Sequence, residues 1–197
     1  MPLPIASSCC LPRQSRLAAR IRVCWRLALS IPFAAVAANA LAQQLPVPSA
    51  GLPGSVNDAQ EVPDPGSVYK VVFDISSAPP SDKVHPNLLR VARYLNTLAE
   101  YGVPPIRRQL TIIVHGSAAP CVLKDAGPAE RKGGHPNPDA ALIAALQQAG
   151  VTVRVDGQSL LEQRIAARDV LPGVQVDLST VTTLTNLQLR GYVLIGE

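Results

Sequence analysis

The feature that most constrains this chain is an alternation. Five short runs rich in β-branched and aliphatic residues, at 69–75, 110–114, 151–155, 174–178 and 192–195, are separated by stretches with helical character. Behind Pro86, the residues Leu88, Val91, Ala92, Leu95, Leu98 and Ala99 recur at three and four, which lays them on one face of a helix. Leu142, Ile143, Leu146 and Ala149 do the same behind Asp139, a candidate cap. Short helices are predicted at 118–124 and 159–168, and a further one at 180–189 behind Ser179. Gly102, Gly150 and Gly191 close three of these stretches, as glycine does after a last helical turn. Strands alternating with helices predict an α/β fold with three layers, α/β/α, around a mainly parallel five-stranded sheet of flavodoxin size.

Composition agrees with one such domain. Of 197 residues, 47% are hydrophobic, enough apolar material for a single core. Disorder throughout is excluded because apolar runs recur to the last residues. Four cysteines cannot staple a chain of this length as a disulfide scaffold, and no apolar run reaches the roughly 20 residues of a membrane span.

Residues 1–42 stand apart. They hold five arginines (Arg13, Arg16, Arg20, Arg22, Arg26) and no acid. Taking these from the 18 basic residues leaves 13 against 14 acids, so the remainder is close to neutral. The overall charge of +4 therefore says nothing about a basic binding face, and no nucleic-acid partner is expected. Residues 27–42 are almost wholly apolar and end in Ala40-Leu41-Ala42. Basic region, short apolar region and small-x-small make the secretory signal pattern. Cleavage after Ala42, with Ala38-Asn39-Ala40 as second choice, would leave a periplasmic or secreted protein without a stable membrane span. An uncleaved anchor is the alternative. Export would remove Cys9, Cys10 and Cys24 and leave Cys121 as the sole cysteine. Residues 43–67, with five prolines and three glycines, read as an extended linker or arm, either disordered or draped over a neighbouring subunit. The domain proper is expected at 68–197.

In an open parallel sheet, ligands gather beyond the carboxyl ends of the strands. Asp74 closes the first strand, His115 the second and Asp156 the third. If the strands run in one direction, these three share a rim, with Cys121 six residues beyond His115. A carboxylate can orient a histidine as a base. Carboxylates and histidines, His85 included, also suit a divalent metal, but no metal-ligand spacing occurs and no cofactor is implied. The plain competing reading is that such residues cap loops through backbone amides. Asn96, beside the apolar stripe of the first helix, reads either as a buried amide or as a residue facing a partner. Ser117 lacks the Gly-x-Ser-x-Gly elbow of hydrolases. His135, beside Gly133-Gly134, and Arg107-Arg108 read as solvated.

Several of these segments together resemble one family. Lys70-Val71-Val72-Phe73-Asp74, the helix carrying Leu95-Asn96, Ile113-Val114-His115-Gly116, the segment 150–158 and the closing run Thr183 to Tyr192 are similar to the DsrE/DsrF-like proteins, from about Val68 to Glu197. The resemblance implies a three-layer α/β/α subunit that assembles into trimers or hexamers. It also implies, for some members, sulfur relay as a cysteine persulfide, in many of them on a cysteine at the end of the third strand, just before Gly-Gln. Here that position is Asp156, which cannot form a persulfide. The expected function is accordingly an exported, oligomeric, non-catalytic module binding a small ligand or partner around Asp74, His115, Asp156 and Asn96. The alternative is a sulfur carrier or thiol enzyme using Cys121, with metal-assisted hydrolysis at the rim a third reading.

Overall fold

The computed structural model describes residues 44–78, 80, 83–124 and 136–197. The expected leader, and His135 with its glycine pair, lie outside them. The domain contains β1 (Tyr69–Ile75), α1 (Pro86–Glu100), β2 (Arg108–Val114), α2 (Ala140–Gln148), β3 (Thr152–Asp156), α3 (Gly157–Glu162), β4 (Gln175–Asp177), α4 (Thr180–Leu189) and β5 (Val193–Ile195). All five strands pair in parallel, in the order β4-β3-β2-β1-β5. The α/β class and three-layer arrangement expected from the alternation are those observed.

The two faces of the sheet are unequal. Val71, Phe73 and Ile75 alternate along β1 onto one face, with Leu110, Ile112 and Val114 of β2 and Val153 and Val155 of β3. They bury against Leu88, Val91, Leu95 and Leu98 of α1, Leu142, Ile143 and Leu146 of α2, and Leu160 of α3. Each such side chain contributes about 1.5–3 kcal/mol by leaving water. Phe73 meets Tyr94 edge to face, with ring centroids 5.8 Å apart. The opposite face carries a much smaller cluster of Val72, Ile113 and Leu187, flanked by Leu184 and Tyr192. The long return from β4 to β5 explains this: α4 is the helix that covers the second face.

Several local expectations are corrected. Residues 116–122 form a 3-10 turn with Pro120 inside it rather than an α-helix at 118–124. The helix predicted over 159–168 is shorter, ending at Glu162, with a separate 3-10 turn at Ala167–Asp169. The Asp139 side chain accepts no capping hydrogen bond from α2. It reaches back instead and accepts the His85 N–H at 2.6 Å, at the head of α1. Arg108 is not a solvated turn residue: it starts β2, its Nε and Nη1 lack hydrogen-bond partners, and desolvation lowers its pKa.

The start of the proline-rich segment is not a free linker. Pro48–Ala50 form a 3-10 turn against the same chain's α1, and Val47 is fully buried. Asn96 holds it there. Its Oδ1 accepts the Val47 N–H at 2.9 Å, and its Nδ2 donates to the carbonyls of Val47 at 2.7 Å and Gly51 at 2.8 Å. Arg93 Nε adds a bond to the Ala50 carbonyl at 3.2 Å.

Candidate functional site

Parallel pairing in close register brings the strand exits together. Ile75 lies opposite Val114, and Val114 opposite Val155. Asp74, His115 and Asp156 therefore reach one edge of three adjacent strands. What each does there differs.

Asp74 and His115 face each other. His115 Nε2 stands 2.9 Å from Asp74 Oδ1, with each side chain about one-quarter exposed (28% and 27%). Both atoms are themselves shut off from solvent, yet neither has an aligned hydrogen-bond partner. The distance is that of an ion pair, but the N–H is not directed along it. Two polar atoms left in this state are unusual in a native interior. The backbone around them is firmly held. His115 N–H donates to Ile75 O at 3.0 Å, Ser117 Oγ donates to Ser76 O at 2.7 Å, and Gly116 N–H donates to Ser159 Oγ at 2.8 Å.

Asp156 has no such latitude. Oδ1 accepts the N–H of Gln158 at 3.3 Å and of Thr180 at 3.0 Å. Oδ2 accepts the N–H of Ser159 at 3.1 Å and its hydroxyl at 2.6 Å. Desolvation pushes the Asp156 carboxyl up, but these donors outweigh it and leave its pKa lowered. With four donors engaged, Asp156 is a cap on α3 and a tether on α4, not a ligand-facing group. The capping reading holds for this residue.

Three further candidates are buried, and the side chains of two of them are spent on neighbouring backbone. Asn96 spends its amide on the 47–51 backbone. His85 is fully buried: Nδ1 accepts the Asn87 N–H at 3.2 Å, and Nε2, which then carries the proton, donates to Ser77 O at 3.0 Å. That is an α1 cap with a fixed tautomer, and no nitrogen is left for a metal. Cys121 is only 1% exposed, its carbonyl accepting Asn137 Nδ2 at 2.8 Å. Among the described residues no group of three His, Cys, Asp or Glu side chains gathers as a metal site.

Beside the Asp74–His115 pair lies a cluster that sequence reasoning missed. The Glu197 carboxylate accepts the N–H of Ser76 at 3.0 Å, the N–H of Ser77 at 3.1 Å, the Ser77 hydroxyl at 2.7 Å, the Ser76 hydroxyl at 3.3 Å and Asn87 Nδ2 at 2.9 Å. Desolvation opposes its ionisation, and the donors override it, lowering the pKa to about 2. The Ser-Ser pair just after the first strand was the available signal. The cavity here, bounded by Phe73, Asp74, Asn87, Arg90, Gly196 and Glu197, measures about 10 Å³. That is space for one water. Larger clefts open elsewhere, about 170 Å³ between α4 and the Arg154–Asp177 ion pair and about 270 Å³ beside α3 and β4.

A parallel sheet in this order, one heavily covered face and a polar carboxyl rim define a small doubly wound α/β module. Residues 70–196 match the DsrE/DsrF-like family, and the chain belongs to that family. No curated protein matches the sequence. Among solved structures, a protein of unknown function from Methanobacterium thermoautotrophicum has the same fold, with a TM-score of 0.50 and 18% identity over 66% of this chain and 99% of that one. Among the described residues, no helix is long and apolar enough to cross a membrane.

Proposed function

We propose that this chain is an exported, homo-oligomeric member of its family that binds a small ligand or partner at the carboxyl rim around Asp74 and His115, and does not relay sulfur. The observation that carries this reading is Asp156. Where the family resemblance would put a cysteine, this chain has a carboxylate engaged by four donors. Asp74 and His115, whose side chains each stay about one-quarter exposed, are the rim groups that a ligand can reach. Burial of Cys121 stands against a thiol mechanism, since attack requires an accessible thiolate. Export rests on the basic, apolar, small-x-small order of residues 1–42, and assembly on apolar side chains left exposed around α4 and β5, among them Leu178, Val181, Leu189 and Val193.

The binding reading is tested by a small-molecule screen on the full chain, followed through the His115 ring resonances. A ligand that shifts them in the wild type and not in an Asp74→Asn, His115→Gln variant is expected. Sulfur transfer is tested separately. A Cys121→Ser variant should retain whatever sulfane sulfur the wild type binds, which is expected to be none. A thiol that labels far faster than a small-molecule thiol at neutral pH, with sulfur lost on substitution, would overturn the reading. The amino-terminal sequence of the protein recovered from its native cell tests export, with Gln43 the expected first residue.

A further inference from the structure

The donors around Glu197 form a complete receptor for a carboxylate. Two successive backbone N–H groups, two hydroxyls and a side-chain amide converge on one group from two elements, the exit of β1 and the first turn of α1. Such nests of N–H groups at strand exits bind anions. Arg90 adds a guanidinium to the cavity wall, its Nη1 donating to the Gly196 carbonyl at 3.3 Å. We propose that this cradle is a binding site for small carboxylate ligands, that Glu197 is its displaceable internal occupant, and that a ligand enters only when residues 196–197 swing away. The proposal rests on the rim-binding reading and names its ligand class.

Three observations support it. With Glu197 in place the cavity has about 10 Å³, so nothing larger than water enters. The segment that carries the occupant is short and lies at the sheet edge: β5 is a three-residue edge strand whose Val193 and Leu194 are exposed, and a Cβ on Gly196 would meet nothing within 4 Å. Finally, Asp74, whose Oδ1 has no aligned hydrogen bond, lines the same cavity. Removing Glu197 therefore opens the cradle toward Asp74, the carboxylate that faces His115.

The test uses the full chain and sodium acetate, with sodium chloride holding ionic strength constant. Amide resonances of Ser76 and Ser77 are followed in the wild type, in Glu197→Ala and in Glu197→Ala with Asn87→Ala. Glu197→Ala should show saturable shifts with a midpoint at least tenfold below that of the wild type, and the added Asn87→Ala should weaken binding again. If Glu197→Ala does not fold, Glu197→Gln keeps an acceptor in the cradle and should show the same gain in smaller measure. Shifts that do not saturate in a folded variant, or that chloride reproduces, overturn the proposal. So does saturation by inorganic phosphate where acetate is silent, because the site is then not one for carboxylates. Shifts at Ser76 and Ser77 with an unmoved His115 ring uphold the cradle while removing support for the rim reading, so the two fail separately.

Discussion

The Asp156 carboxylate accepts the backbone N–H of Thr180 at 3.0 Å, so the residue that ends β3 also secures the start of α4 on the far side of β4. One side chain thereby ties the cap of α3 to the helix that covers the second face. Asp156→Ala should cost about 2–3 kcal/mol, a lost cap plus an orphaned amide, and Asp156→Asn about 1 kcal/mol, since one acceptor survives. Urea denaturation gives the size, and faster exchange of the Ser159 and Thr180 amides gives the location. A loss within the ordinary surface range of about 0.5 kcal/mol would refute the tether.

Asn96 decides whether the proline-rich arm is docked. Asn96→Ala leaves the buried N–H of Val47 without its partner, a loss of about 1–3 kcal/mol, and takes one donor each from the carbonyls of Val47, which keeps the Ala50 N–H, and Gly51. A destabilisation of about 3 kcal/mol is expected, together with proteolytic cleavage near residues 44–54 that the wild type resists. Equal cleavage rates would show that the clamp does not hold the arm.

Gly157 admits no side chain. A Cβ there would stand 2.5 Å from the Asp177 carbonyl oxygen, where backbone cannot yield cheaply. Gly157→Ala should cost about 3 kcal/mol through overpacking and spread β3 from β4. Thermal unfolding checks the cost, and loss of the Arg154–Asp177 contact at 3.0 Å checks the cause.

Two carboxyls give opposite pH dependence. Glu197 is lowered from 4.5 to about 2 on folding, so its stabilisation is complete above pH 4.5 and is lost as pH falls from there toward 2. Asp139, nearly inaccessible and with Oδ2 unpartnered, is raised above 3.8 by burial. The unfolded chain releases that proton first, so stability declines as pH rises past 3.8 until the folded group has ionised too. Asp139→Asn should remove that decline, and Glu197→Gln should flatten the acid limb. Denaturation midpoints from pH 2 to 7 separate them.

Assembly has its own test. Val181 and Leu189 of α4 are 76% and 81% exposed. Val181→Glu with Leu189→Glu should convert the expected trimer or hexamer into monomers without unfolding the chain, because neither side chain is part of the buried core. Light scattering after size exclusion reads the mass. A wild-type chain that is monomeric at micromolar concentration would remove the assembly reading.

The alternation of apolar runs and helical spacings was enough to establish the fold class, the direction of the strands and the common rim, because periodicity reports which faces must leave water. The same residues show where local reading stops. Asp139 sits where a cap of α2 belongs, yet it serves α1, since the nearest unsatisfied N–H came from a distant segment. Asp74, His115 and Asp156 are alike in sequence position, but only tertiary contacts separate a tethering cap from a pair left facing each other. Glu197 and the two serines after β1 lie about 120 residues apart, and nothing local marks them as partners. Burial patterns are written in sequence spacing, whereas hydrogen-bond partners across a sheet are chosen by proximity that exists only once the chain has closed.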